Sequence, residues 1–379
     1  MKVLHVYRTY FPDPPGGLQE AIRQICRGIR QFGVESRIFT LSPTPYPAEI
    51  EAPEGRVVRS KSWAAPASCD LGGLDSLMKF RALARWADVI HYHFPWPFAD
   101  VLHALGGSPK PAVMTYHSDI VRQRYLGEVY GPLMRRTLRS MAALVATSPT
   151  YAQTSPVLTQ HVAPERVRMI PLGIEDFNTA APDLAEDARL LKRFHLPDGP
   201  FLMALGVLRH YKGLHTLVQA ANKIHSTLMI AGSGPEGPTL KKLAGELGVT
   251  NIVFAGQVTD AEKVALLRNC WGLVLSSHLR SEAFGMVLVE ASMFGKPMIC
   301  CEVASGTSYV NLHGTTGLVI PPEAPDSLAD ACNTLLADVA RARAMGAEAR
   351  TRYETLFSGA ALGRAYSALY REVVQKVAP

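Results

Sequence analysis

Two glutamates, Glu282 and Glu290, close off the segment SEAFGMVLVE, whose interior otherwise suits a protein core. If Gly285 to Phe294 is a helix, Glu282 stands just before its N-terminus and Glu290 about two turns inside, about 12 Å along the axis. That exceeds the roughly 5 to 9.5 Å at which two carboxylates cooperate in glycoside hydrolysis. Between them lie the free backbone N–H groups of a helix start, which favour an anion such as phosphate. A nucleotide-sugar fits this ruler, with diphosphate at the helix start, the sugar near one glutamate and ribose near the other. The plainer reading makes Glu282 a helix cap and Glu290 a partly exposed residue.

A second group lies in ALGVLRHYKGLHTLVQA, residues 204 to 220, where Arg209 and Lys212 occupy a loop between a strand and a helix. A forked guanidinium and an ammonium there can meet two phosphates. The sequence has no D-x-D and no His/Asp/Glu cluster at ligand spacing, so metal-free neutralisation of a leaving diphosphate is the expected chemistry. Alone, R-x-x-K-G also describes a solvated helix start.

The elements that must hold these groups follow from the hydropathy pattern. In the first half VLHVY, ESRIFTL, RVVRS, ADVIHYH, AVMTYH and ALVATS read as strands, and LQEAIRQICRGIRQFG as a helix stopped by Gly33. The second half repeats the scheme with FLMALG, STLMIAG, NIVFAG, GLVLSS, PMICC and TGLVI. Strands alternating with helices imply βαβ units and parallel sheets, so the fold class is α/β with two Rossmann-like, doubly wound domains. The expected division is 1–170, a linker over 171–199, a second domain over 200–357, and a tail helix over 358–379 packing back on the first domain. Two such domains would set the carboxyl ends of their strands around one interdomain cleft.

The composition, 47% hydrophobic and 19% charged, is that of a globular chain. No run reaches the roughly 18 apolar residues of a membrane helix, and the N-terminus reads as a strand, so a cytoplasmic location is expected. Six cysteines make no C-x-x-C spacing and read as buried thiols. Residues 1–170 hold 20 Lys+Arg against 13 Asp+Glu, a balance of +7, and residues 171–379 hold 19 against 20, or −1. Part of the excess lies on PLMRRTLRSMAA, expected as a helix opened by Pro132 with Arg135, Arg136 and Arg139 on its polar side. It is either a solvated surface or a dock for anionic lipid.

Together these motifs resemble the retaining GT-B glycosyltransferases of family 4, over essentially the whole chain. The family's E-x7-E motif is present as Glu282 and Glu290 and its basic pair as Arg209 and Lys212; GSGP at 232–235 and VFAGQV at 253–258 are also similar. VLHVYRTYFPDPPGG, DVIHYHFPWPFAD, SSHLRSEAFG and GTSYVNLHGTTGLVIPP look most like bacterial O-antigen mannosyl- and rhamnosyltransferases. The resemblance implies Glu282 on the transferred sugar, Glu290 on the ribose, and Arg209 and Lys212 on the diphosphate. The backbone of Phe284, Gly285 and Met286 would border sugar and phosphate.

In the first domain PPGG, residues 14–17, joins the first strand to the first helix without a G-x-G-x-x-G fingerprint, so a dinucleotide is disfavoured. Gly16 and Gly17 permit close backbone approach, and the resemblance puts their loop beside the donor phosphate. It also brings His117, at the end of AVMTYH, towards the transferred sugar. His93 and Trp96 form an aromatic strand end suited either to an acceptor sugar or to core packing. The base would be read around Gly256 and Gln257.

The expected activity is retaining transfer of mannose or D-rhamnose from a GDP donor to a lipid-linked saccharide in O-antigen synthesis. No cofactor, metal or nucleic acid is required, and peripheral contact with anionic inner-membrane lipid is expected. A UDP-sugar-dependent transferase of the same fold and a nucleotide-sugar epimerase are the alternatives.

Overall fold

A computed structural model of the chain describes residues 1–13, 16–66, 69–119, 124–178 and 183–376, with the backbone alone over 124–129. It divides into two units, Met1–Glu175 with Ser358–Pro379, and Asp176–Phe357. Pro14 and Pro15 of the expected PPGG loop lie outside the described residues.

The first unit is built on one sheet of β1 (Lys2–Val6), β2 (Glu35–Ser42), β3 (Glu49–Ala52), β4 (Gly55–Lys61), β5 (Val89–Phe94), β6 (Ala112–Tyr116), β7 (Ala143–Ala146) and β8 (Val167–Met169). Its order is β3-β4-β2-β1-β5-β6-β7-β8, parallel except for the β3–β4 pair. Strands covered on both faces must be nearly continuously apolar, which is why the runs VLHVY, ADVIHYH and AVMTYH were legible. β3 was not expected: EIEA is short, and its glutamates are held by Arg56 of β4, at 3.5 Å from Glu49 and 2.5 Å from Glu51. The three-residue β8 also carries too little pattern to be read.

The helix Gly17–Arg30 packs against the chain's last helix, Gly359–Gln375. Ile25 and Ile29 share a core with Leu362, Tyr366, Leu369, Tyr370 and Val373. The two helices touch at Gly28 and Gly363, where a Cβ on Gly363 would stand 2.0 Å from the Gly28 carbonyl oxygen. Pro132 does not open its helix, which runs Arg124–Ser140 with the proline inside. A proline there removes one hydrogen bond without ending the helix. Leu138 and Met141 are buried, and Arg136 and Arg139 are exposed.

The second unit is wholly parallel: β9 (Phe201–Leu205), β10 (Thr227–Ala231), β11 (Ile252–Gly256), β12 (Gly272–Leu275), β13 (Met298–Cys301) and β14 (Gly317–Ile320), ordered β11-β10-β9-β12-β13-β14. Leu217, Val218, Leu228, Ile230, Val274, Ile299 and Leu328 lie in its core. The stretch 171–199, expected as a linker, has contacts with each unit. Ile174 bridges to Ser358 in the first unit, whereas the helix Leu184–Leu191 is tied to the second by Asp187 and Arg268, 2.9 Å apart.

In each sheet strand order reverses beside the unit's first strand, between β1 and β5 and between β9 and β12. Loops leaving the carboxyl ends of such a pair diverge and open a crevice. Among the described residues no helix is long and apolar enough to cross a membrane. Five cysteines are buried and Cys69 is half-buried, all as free thiols.

Candidate functional site

The crevice of the second unit gathers the loops after β9 and β12, and with them residues far apart in sequence. Lys212 lies in the first loop and Glu282 in the second, with Lys212 Nζ 2.5 Å from Glu282 Oε2. Ser277 Oγ donates to the same carboxylate oxygen at 3.2 Å. The loops are also joined through their backbones: the His278 N–H donates to Tyr211 O at 3.1 Å and Ser276 Oγ to Lys212 O at 3.1 Å. Contact this close requires Gly213, which has φ +61° and whose added Cβ would lie 2.1 Å from Ser276 O. A small cavity beside the pair is lined by Gly206, Leu208, Lys212, Ala231, Leu275 and Ser276.

Glu282 is 8% exposed. Its own carbonyl accepts a hydrogen bond from Ser305 Oγ at 2.7 Å, and the Gly306 N–H donates to Ala283 O at 2.8 Å. The segment after β13 therefore braces the loop that carries the glutamate. Phe284 is buried with its ring edge-on to Phe357. Gly285, at φ +82°, starts the helix Met286–Met293. The first N–H groups of that helix have no intrahelical acceptor and face its N-terminal end, next to Glu282 in the chain. Arg209 is exposed, and its guanidinium makes no ion pair among the described residues.

Glu290 stands apart from this group, half-buried, with Lys263 Nζ 3.0 Å from its carboxylate. Lys263, from the helix Asp260–Asn269, was not anticipated; inside DAEKVALLRN nothing distinguishes it from a solvated helix face. Ser305, Gly213 and Gly306 were likewise missed as supports of the site, because their roles rest on contacts between loops of neighbouring strands, and Ser277 was missed although it reaches Glu282 within one loop. Gly256 ends β11, exposed, with its carbonyl accepting from the Gly232 N–H at 2.7 Å. Beside it Gln257 accepts from Ser233 Oγ at 3.0 Å through its side chain and from Arg193 through its backbone.

In the first unit, Gly16 caps the helix Gly17–Arg30 in an extended conformation, and both glycines are exposed. A Cβ on Gly17 would meet nothing within 4 Å. Trp96 is 1% exposed and its indole N–H donates to Asp70 O at 2.8 Å. Its ring is packed in the core, as in the alternative reading of that position. His93 is also 1% exposed. Both stand at the β5 end, where the core of a doubly covered sheet extends to the last residue of the strand.

His93 joins the rings of neighbouring strands. His93 Nδ1 lies 3.1 Å from His117 Nε2, and His93 Nε2 lies 3.2 Å from His5 Nδ1. Burial holds the imidazoles of His117 and His5 down to about 3 and that of His93 well below its ordinary range, so all three rings are neutral. His117 directly follows β6, with its Nδ1 unpartnered among the described residues.

In its chemistry the second-unit crevice offers a cation, a carboxylate and a helix N-terminus, a set suited to a sugar bonded to a diphosphate. Comparison with known proteins agrees in both halves. The family model "Glycosyltransferase Family 4" matches residues 15–176, and "Glycosyl transferases group 1" matches residues 190–352. The D-rhamnosyltransferase WbpZ of Pseudomonas aeruginosa is 42% identical over 359 residues, covering 94% of this chain and 92% of its own. The O-antigen chain mannosyltransferase C of Escherichia coli is 36% identical over 376 residues, covering 99% of each. Among solved structures, Anabaena Alr3699/HepE in complex with UDP aligns with a TM-score of 0.81 at 19% identity, over 98% of this chain and 100% of its own. With both domain families present in order, and relatives this similar along nearly the full length, the chain belongs to the GT-B glycosyltransferases of the group 1 and family 4 kind.

Proposed function

We propose that this glycosyltransferase moves mannose or D-rhamnose from a GDP donor onto a lipid-linked saccharide in O-antigen synthesis, with retention of anomeric configuration. The observation that carries the reading is the Lys212–Glu282 pair at the β9/β12 crevice beside a helix start. Its cation and carboxylate are 2.5 Å apart, a separation that suits adjoining phosphate and sugar groups of one ligand. The rhamnosyl- and mannosyltransferase relatives favour these two sugars over others.

In this reading Lys212 and Arg209 neutralise the departing diphosphate, together with the N–H groups after Gly285, and no metal is needed. Glu282 holds hydroxyls of the transferred sugar, Glu290 those of the ribose, and Gly256 borders the base. The backbone of Phe284 and Met286 lies along sugar and phosphate. His117 hydrogen-bonds the sugar from the first unit, and Gly16 and Gly17 pass close to the phosphates. Retention, with no second carboxylate at the pair among the described residues, fits a front-face route in which the leaving phosphate assists deprotonation of the acceptor. The exposed Arg136 and Arg139 supply the contact with anionic lipid at the inner face of the membrane, worth about 1 kcal/mol each.

The test is nucleotide release from a panel of GDP- and UDP-sugars, with and without a membrane extract as acceptor source. Release of GDP from GDP-mannose or GDP-D-rhamnose, dependent on the extract, is expected. Acceptor-dependent release of UDP alone would replace the donor, and sugar conversion without acceptor would make the protein an epimerase. Glu282→Ala should abolish transfer and retain most nucleotide affinity. Flotation with anionic liposomes that persists at high salt, or equal binding to neutral ones, would refute the lipid contact.

A further inference from the structure

Three neutral histidines in a row have a consequence for the one at the end. Each N···N contact shares a single proton, and a neutral imidazole carries only one. The chain His5–His93–His117 therefore has two arrangements in which both contacts are hydrogen bonds. Either every ring is protonated at Nδ1 and donates towards His117, or every ring is protonated at Nε2 and donates towards His5. The far end decides between them. His5 Nε2 is buried and has no hydrogen-bond partner. In the second arrangement it would be an orphaned N–H in the core; in the first it is a bare lone pair. Orphaned buried N–H groups are the rarer defect in folded proteins.

We propose that His5 and His93 are positioning residues that hold His117 as its Nδ1–H tautomer, so that it meets the transferred sugar as a hydrogen-bond donor. Both the donor role and the choice of tautomer rest on the sugar contact proposed above, which gives the His117 Nδ1–H an acceptor that the described residues do not supply. The neighbouring His91 does not disturb this order, because its two nitrogens are engaged by Tyr370 OH and Thr115 Oγ1, each at 2.7 Å. Nitrogens of His5, His91 and His93 come within 4.8 Å of one another, brought together by the in-register pairing of His5 with His91 and the His5–His93 contact. Strand order creates the row: His5 on β1 pairs in register with His91 on β5, and His93 with Thr115 on β6, two residues before His117.

The primary experiment uses the unaltered full chain labelled with nitrogen-15 histidine, with the His117 signals assigned by their loss in His117→Asn. Two-bond correlation spectra distinguish the tautomers directly. The expected result is a protonated, pyrrole-like Nδ1 and a bare, pyridine-like Nε2 on His117. The reverse pattern, exchange-averaged shifts, or an imidazolium at neutral pH would overturn the proposal. A second arm measures transfer: His93→Leu removes the donor to His117 and should lower kcat/KM about tenfold, the loss of one orienting hydrogen bond. His93→Asn sets an amide N–H near the former Nδ1 and should recover most of that loss. Full activity in His93→Leu with an unchanged His117 spectrum would equally overturn it. If His93→Leu does not fold, the spectrum of the unaltered protein decides. Absence of transfer from every donor by the unaltered protein would instead count against the proposed function, leaving the tautomer result standing.

Discussion

Gly213→Ala is expected to destabilise the second unit and to unseat Lys212, and a neighbouring glycine separates this from simple backbone strain. Gly213 and Gly248 have nearly equal positive φ, +61° and +60°. A Cβ on Gly248 would meet nothing within 4 Å, whereas one on Gly213 would lie 2.1 Å from Ser276 O and 3.1 Å from His278 Nδ1. Alanine at position 248 should therefore cost only left-handed strain, about 1 kcal/mol. At position 213 the same strain adds to an overlap between two backbone segments, about 1–3 kcal/mol when the surroundings must shift, for about 2–4 kcal/mol in all. At about 2–4 °C per kcal/mol for a domain of this size, melting should fall by about 4–16 °C in Gly213→Ala and about 2–4 °C in Gly248→Ala. The overlap is relieved by separating the two loops, which strains the hydrogen bond from Ser276 Oγ to Lys212 O and that from His278 N–H to Tyr211 O. A misplacement of about 1 Å at a reacting centre can cost about 100-fold in rate. Thermal melts and nucleotide-release kinetics on both variants measure the two effects. Equal melting of the two variants, or an unchanged kcat/KM in Gly213→Ala, would refute the reasoning.

Lys212→Ala should destabilise the protein more than the double variant Lys212→Ala/Glu282→Ala, because the single change leaves a largely buried carboxylate without its cation. A coupling of about 1–3 kcal/mol in urea unfolding is expected, and strict additivity would argue that the pair is energetically idle. Gly363→Ala gains about 1 kcal/mol of helix propensity but drives a methyl group to 2.0 Å from Gly28 O, so net destabilisation is expected in denaturant unfolding; a stabilised variant would show that the two helices separate freely. Stability should also fall in acid through the histidines. His5 and His117 titrate at about 3 when folded and near 6.5 when unfolded, so the unfolded chain binds the extra protons in between. Their contribution is complete above about pH 6.5 and declines below it at up to about 1.4 kcal/mol per pH unit for each group; urea midpoints that stay level from about pH 7 to 5.5 would contradict this.

What could be read from the sequence and what could not divide along one physical line. The chemistry-bearing types were legible because they sit in loops, where a charge has no packing role: Arg209 and Lys212 follow an apolar strand, and Glu282 precedes an apolar helix. Apolar runs gave the strands for the same reason. The pairings were not legible, because they depend on strand order. Alternating strands and helices specify a parallel sheet, yet only the order β10-β9-β12 sets the Lys212 loop against the Glu282 loop, 70 residues further along the chain. The histidines give the sharper case. Each of His5, His93 and His117 interrupts or follows an apolar strand on its own, and a lone histidine in such a run reads as an isolated structural residue. Adjacency of β1, β5 and β6 turns three such interruptions into one buried row. A polar residue inside a core strand is therefore best interpreted together with the polar residues of the strands that the topology sets beside it. Here that comparison sets His117, next to β6, apart from His5 and His93 behind it, which we propose fix its proton.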